Sequence, residues 1–186
     1  MTFCRVHITG ASGSGTTTLG RALAAEWAVP HHDTDDYFWE PTDPPYTVKR
    51  DAGERLALMN QMFVPRRAWV LSGSLMSWGD ALVPAFDLVV FLRLDPAIRM
   101  ARLKTREELR VGAEAIAPSG RCRARFLAFM EWAAGYDRPD FQGRSLKHHG
   151  EWLAKLPCPV MELDGSAAIG FLVAAVLRAR PEKMKT

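Results

Sequence analysis

Nine residues near the start, Gly10-Ala11-Ser12-Gly13-Ser14-Gly15-Thr16-Thr17-Thr18, constrain this chain more than any other stretch. An apolar, β-rich run from Phe3 to Thr9 leads into them. A helical pattern follows from Thr16 to Trp27, with Leu19, Leu23 and Trp27 recurring every four residues on one face. A strand that passes through small residues into a helix can wrap its backbone N–H groups around an anion, and the helix adds its positive end. Gly10 and Gly15 stand in G-x-x-x-x-G-x-T spacing. Ser12, Gly13, Ser14 and Thr18 then belong to the same cradle, and Thr17 occupies the position whose hydroxyl holds Mg²⁺ in phosphate-binding loops.

Thr16 departs from that pattern. A lysine there would reach the β- and γ-phosphates of a nucleotide, and threonine brings a hydroxyl without charge. Three readings follow. Another cation fills the gap, with Lys49, Lys104 and the arginines after the fourth strand as candidates; the loop binds nucleotide but catalyses weakly; or it binds a different anion. A dinucleotide-binding oxidoreductase is a further alternative. Ser14 and Thr16 stand where its T-G-x-x-x-G-x-G variant needs glycine, and no Tyr-x-x-x-Lys pair exists in the chain.

Strand and helix patterns alternate through the rest of the chain. Strands are expected at Ala28–His32, Trp69–Leu71, Leu88–Leu94 and Val160–Leu163. Helices are expected at Lys49–Phe63, Pro96–Arg110, Arg123–Ala134, Ser145–Leu156 and Ala167–Arg178. Pro41–Tyr46 reads as irregular, Val111–Gly120 as a loop, and the terminal Pro-Glu-Lys-Met-Lys-Thr as frayed. Such alternation implies an α/β fold with a parallel sheet and helices on both faces, and ligands then sit at the carboxyl ends of the strands. A length of 186 residues suits a single domain over 1–186. The chain lacks a signal-peptide layout and any apolar run near the roughly 18 residues that span a membrane, so a cytoplasmic location without membrane contact is expected. A net charge of +3 argues against nucleic acid as a partner. Cys4, Cys122 and Cys158 have no metal-ligand spacing and read as thiols.

At the ligand edge, His31-His32-Asp33-Thr34-Asp35-Asp36-Tyr37 gathers three carboxylates within four residues. One suits Mg²⁺ and another an acceptor hydroxyl, whereas both histidines read as structural. Tyr37, Phe38, Trp39, Tyr46 and Trp78 offer aromatic surface to an acceptor, and Lys49 and Arg50 offer it positive charge. The segment 34–66 is therefore assigned to acceptor binding, with Asp36, Ser74 and Arg138 as further contacts. Arg102 and Arg106 share a helical face, where two guanidinium groups suit a transferring phosphoryl group. The glycine-bearing segment after them, 107–125, reads as a small mobile lid.

These features resemble the adenylate kinase-like and shikimate kinase-like P-loop kinases over nearly the whole chain. The resemblance implies a three-layer α/β/α P-loop NTPase fold with a five-stranded parallel sheet of order 2-3-1-4-5. It implies ATP and Mg²⁺, with Asp33 serving the metal and Asp35 the acceptor hydroxyl. Arg102 and Arg106 look like the pair opening the lid of adenylate kinases, and Asp164-Gly165-Ser166 falls at their adenine-contacting loop. Ser72 stands where many relatives carry a carboxylate, which shifts metal support onto Asp33. The expected activity is ATP-dependent phosphorylation of a nucleoside, nucleotide or small hydroxylated metabolite, by a monomer or homodimer. The alternative is a catalytically weak nucleotide-binding regulator.

Overall fold

Each strand carries the chain up one sheet and each following helix returns it, so every neighbouring pair of strands is parallel. The computed structural model describes residues 4–179. Phe3 and the Pro-Glu-Lys-Met-Lys-Thr terminus, both assigned above, lie outside the described residues. The strands are β1 (Arg5–Gly10), β2 (His31–Asp33), β3 (Trp69–Ser72), β4 (Leu88–Arg93) and β5 (Val160–Asp164). Their order is β2-β3-β1-β4-β5, the order the resemblance implied. The helices are α1 (Thr16–Trp27), α2 (Thr34–Phe38), α3 (Ala52–Met62), α4 (Pro96–Val111), α5 (Ala113–Ile116), α6 (Arg123–Ala134), α7 (Leu146–Leu153) and α8 (Ile169–Arg178). No helix among the described residues is long and apolar enough to cross a membrane.

Strand alternation divides the core into two layers. Val6, Ile8, Val70, Leu88, Val90 and Leu92 face Leu19 and Leu23 of α1 and Leu172 and Val176 of α8. Trp69, Leu71 and Val89 face Met59, Phe63, Leu75 and Phe86, with Trp152 and Leu153 of α7 packed alongside. Burying each such large apolar side chain contributes roughly 1.5–3 kcal/mol. The same alternation puts His7 and Thr9 on the second face, fully buried. His7 stacks on Phe86 at 5.1 Å, and its Nδ1 lies 3.1 Å from the Leu71 carbonyl. Thr9 Oγ1 meets His149 Nε2 at 2.9 Å, and His149 Nδ1 meets the Tyr136 hydroxyl at 2.9 Å.

Several boundaries differ from those the sequence suggested, each for a local reason. Ala28 takes a left-handed φ of 53° as the cap of α1, so β2 starts only at His31. Asp33 accepts the Asp35 N–H at 3.1 Å and thereby starts α2, a helix that periodicity over five residues cannot reveal. Asp51 caps α3, and Lys49 instead joins Trp39 in an antiparallel bridge. Gly112, at φ 89°, ends α4, and the supposed loop after it contains α5. Short 3-10 turns at Asp80–Ala85 and Gly135–Asp137 carry no periodic signal.

One buried cation ties the layers together. Arg99 on α4 is 1% exposed, and its guanidinium donates to the Ser12 carbonyl at 3.3 Å, the Ala133 carbonyl at 3.0 Å and Asp137 Oδ2 at 2.5 Å. It thus fixes the loop after β1 against the end of α6. Replacing it leaves two carbonyls and a carboxylate without their donor, so Arg99→Ala is expected to destabilise the fold by about 3 kcal/mol in urea unfolding.

The buried histidines set the acid response. Burial holds His7 down at about 4, and burial followed by the nearby Arg144 charge holds His149 down at about 3. Both must stay neutral in the folded state, whereas the unfolded chain protonates them near 6.5. Stability is therefore complete above pH 6.5 and falls as the pH drops below it, by about 1.4 kcal/mol per pH unit for each histidine. Urea titrations from pH 7 to pH 5 should show this loss, and His149→Gln should reduce its slope.

Candidate active site

The glycine loop closes on itself at the carboxyl end of β1. The Ser14 N–H bonds back to the Ala11 carbonyl at 3.1 Å. A Cβ at Gly10 would lie 2.5 Å from Ser14 Oγ and 2.6 Å from the Leu92 carbonyl, so only glycine lets the strand meet the loop. Gly13, at φ 86°, presses on Leu103 of α4. Helix α1 then begins at Gly15 with no side-chain cap and no acidic residue in its first turn. Its first N–H groups are left for an external acceptor. Ser14 Oγ is buried and unpartnered beside them. Thr16 sits partly exposed on the first turn, Thr17 likewise, and Thr18 faces solvent.

Asp33 is the hub beside this loop. Its Oδ2 accepts from Thr17 Oγ1 at 2.7 Å and from Ser72 Oγ at 2.9 Å. His31 Nε2 lies 3.0 Å from Ser72 Oγ, which gives that histidine a structural place. The hydroxyl of Thr17 and the carboxylate of Asp33 form a hard-oxygen pair that suits Mg²⁺, a cation that keeps several waters and takes few protein ligands. Consistent with so sparse a set, no group of three or more His, Cys, Asp and Glu gathers as a metal cage among the described residues.

Asp35 opens into the cleft in front of Asp33. Its carboxyl is solvent-accessible in the open cleft, yet the walls crowd it. Loss of solvation, and then the Asp33 charge, raise its pKa above 3.8, while Arg144 and Arg106 pull the other way. Asp36, one residue on, is raised by the same two causes. Arg144 crosses the cleft from the turn before α7. Its Nη2 donates to Ser12 Oγ at 2.6 Å and its guanidinium lies 5.2 Å from the Trp132 ring centre. Arg106 lies 5.5 Å from the Phe129 ring and pairs with Glu107 at 3.3 Å; Arg110 also pairs with Glu107.

Arg102 stands at the 164–166 turn, and it is not among the charges that act on Asp35. Its Nη1 donates to the Gly165 carbonyl at 3.0 Å. Asp164 accepts the Ser166 N–H at 2.9 Å and the Ser166 hydroxyl at 2.7 Å, bonds that hold its pKa below 3.8. The 164–166 turn abuts the glycine loop, where a Cβ at Gly165 would lie 2.6 Å from the Ser14 carbonyl.

Several residues assigned to the acceptor have other positions. Tyr37 is 5% exposed, and its hydroxyl bonds to His32 Nδ1 at 2.7 Å, so its ring fills the core instead of a pocket. Arg50 is occupied by the Tyr37 carbonyl at 2.8 Å and Glu40 at 3.1 Å. Arg138 is exposed over Phe141 and contacts no cleft residue among the described residues. Lys49 lies 5.9 Å from the Phe38 ring, and Lys104 pairs with Glu108 at 3.8 Å on the outer face of α4. Neither lysine reaches the loop at Thr16. Ser74 lines up beside Thr34, whose Oγ1 accepts its N–H at 3.1 Å, and its carbonyl holds the Trp78 indole at 3.2 Å. Tyr46 packs under Arg110 at 5.3 Å, and its carbonyl and that of Pro45 accept from Arg125 at 3.4 and 2.5 Å. The 34–66 and 107–125 segments thus meet across the cleft mouth.

Two arginines of the cleft were not singled out from sequence. Arg55 is 8% exposed, lies 3.8 Å from the Phe38 ring and 5.2 Å from the Trp78 ring, and donates its Nε to the Arg50 carbonyl at 2.7 Å. No carboxylate pairs with it among the described residues. Arg144 is one of the arginines after the fourth strand considered above as a cation for the loop, and sequence did not separate it from the others. The one signal for Arg55 was its charge on an otherwise apolar face, four residues before the buried Met59.

No protein-family model matches the chain. Its fold is shared with a gluconokinase from Sinorhizobium meliloti (TM-score 0.55, 16% identity, covering 99% of this chain and 95% of that one). It is also shared with the shikimate kinase of Acinetobacter baumannii solved with shikimate (TM-score 0.56, 16% identity, 95% and 92%). A shikimate kinase from Bacteroides thetaiotaomicron aligns similarly (TM-score 0.54, 17% identity, 95% and 97%). In sequence, 172 residues are 40% identical to the uncharacterized protein YqaC of Bacillus subtilis, covering 92% of this chain and 94% of that protein. Identity of that depth over that length makes this chain a member of the same family as YqaC.

Proposed function

We propose that this chain is an ATP- and Mg²⁺-dependent kinase that phosphorylates a hydroxyl group of a small anionic molecule. The observation that carries the reading is the meeting of Thr17, Asp33 and Ser72 by hydrogen bonds of 2.7 and 2.9 Å at the mouth of the glycine loop, with Asp35 in the cleft beside them. Bound Mg²⁺ would neutralise charge on the β- and γ-phosphates. Thr17 and Asp33 would hold it. Asp35 would accept the proton of the acceptor hydroxyl as that oxygen bonds to the γ-phosphorus and the bond to the bridging oxygen of ADP breaks. Arg102 would bind the nucleotide beside the 164–166 turn, and Arg106 would counter charge developing near Asp35.

Arg55 supports the anionic character of the acceptor. A nearly buried arginine whose guanidinium lies 3.8 Å from the Phe38 ring and 5.2 Å from the Trp78 ring, with no carboxylate pairing among the described residues, is suited to a carboxylate or phosphate of a ligand. The fold neighbours named above fit this class: gluconate and shikimate both carry hydroxyls and a carboxylate. The segments 34–66 and 107–125 would enclose the acceptor, joined at Tyr46. The strand order favours a kinase over a dinucleotide oxidoreductase, because strand 3 rather than strand 2 adjoins strand 1. A nucleotide-binding switch remains the second reading, favoured by one observation: neither Thr16 nor Ser72 carries charge.

A coupled ADP-release assay over hydroxy acids, sugar acids, sugar phosphates and nucleosides tests this. Turnover is expected with one hydroxylated anion. Asp35→Asn should then lower kcat by about 10²-fold or more while ATP affinity holds. Arg55→Ala should raise the acceptor KM by about tenfold or more. ATP binding without turnover on any acceptor would favour the switch.

A further inference from the structure

We infer that Arg144 supplies, from outside the phosphate loop, the positive charge that Thr16 does not. The inference rests on the nucleotide reading of that loop. Two or more phosphate groups in the cradle need a cation over the β- and γ-positions, and the loop's own side chains are all neutral.

The cations around the loop differ in what already engages them. Arg99 is held by the Ser12 and Ala133 carbonyls and by Asp137. Arg102 is exposed and donates to the Gly165 carbonyl, with its Nη1 4.0 Å from where a Cβ at Gly15 would lie. Arg106 and Arg110 share Glu107, and Lys104 pairs with Glu108. Arg144 has no ion-pair partner among the described residues. Its one side-chain hydrogen bond goes to a neutral hydroxyl, Ser12 Oγ, at 2.6 Å. Its Nε, like that of Arg99, is buried and lacks a hydrogen-bond partner. A desolvated guanidinium with open donors is costly until an anion meets it.

Its position matches that need. Ser12 lies within the loop, so its hydrogen bond brings the guanidinium to the loop's edge. Asp35, the proposed proton acceptor, is its principal carboxylate neighbour by charge. A phosphoryl group moving from the loop toward Asp35 passes the Arg144 fork. The guanidinium lies 5.2 Å from the Trp132 ring centre, and the residue directly after Arg144 is Ser145, the cap of α7, so both ends of the side chain are anchored while its planar fork can offer two N–H groups to one phosphate. Lysine at position 16 would lie on a flexible stem inside the loop; Arg144 reaches the same charge from the opposite wall, where it also touches the acceptor side.

Calorimetric titration with Mg²⁺-ATP and with AMP tests this without any acceptor. Arg144→Gln should weaken ATP binding by about tenfold or more and leave AMP binding within about twofold. Adding Thr16→Lys to Arg144→Gln should restore most of the ATP affinity, a rescue that a purely structural role would not give. Unchanged ATP affinity in Arg144→Gln, equal loss of ATP and AMP, or failure of the rescue overturns the inference while leaving the kinase reading intact. Wild-type protein that binds no ATP overturns both. If Arg144→Gln does not fold, Thr16→Lys alone decides: with Arg144 in place its gain in ATP affinity should stay under about threefold, and a gain of about tenfold or more shows that the cation was missing.

Discussion

Close approach of backbone to backbone at the end of β1 is the constraint on which the site depends. Gly10 brings the strand within contact of Leu92 on β4 and of Ser14 in the loop, and any side chain there would push them apart. Because the loop is this tight, the N–H groups of Gly15 and the first turn of α1 point into one concavity, uncapped by any side chain. The cradle is therefore a product of packing from several directions: β4 below, α4 at Gly13, and the 164–166 turn beyond.

Charge around this cradle is distributed differently from a loop with its own lysine. Three arginines reach it from two elements. Arg99 reaches a loop carbonyl, Arg144 a loop hydroxyl, and Arg102 the neighbouring turn. Their stems come from α4 and from the turn before α7, so cation placement depends on how these elements seat on the sheet. Arg99 is structural by its partners, since all its contacts are internal to the protein. Arg144 has one side-chain hydrogen bond, to a neutral hydroxyl, and no ion-pair partner among the described residues. The difference between the two lies in available partners, not in residue type.

Ser72 is uncharged, and its hydroxyl donates to Asp33, the carboxylate that also accepts from Thr17. The buried His149 sits behind this edge, joined to Thr9 and Tyr136, and remains neutral because charging it would place a cation near Arg144 without solvent.

Local patterning alone determined the strand-to-helix junction at Gly10–Thr18, the alternation of strands and helices, and the ends at Pro96 and Ala134, because backbone periodicity and capping act over a few residues. It also pointed to Asp33 beside Thr17, since both fall at strand ends on one edge of a parallel sheet. It did not show where Tyr37, Arg50 and Arg138 lie, because proximity along the chain does not say which way a side chain turns: Tyr37 packs into the core with Phe63 and His32, and Arg50 pairs with Glu40. Only the tertiary structure decided which cation meets the loop. Arg144 is 132 residues from Ser12 in sequence, and Ser72 is 39 from Asp33. Such pairs form because strand order brings distant strand ends to one edge, and no spacing within a single element encodes that meeting.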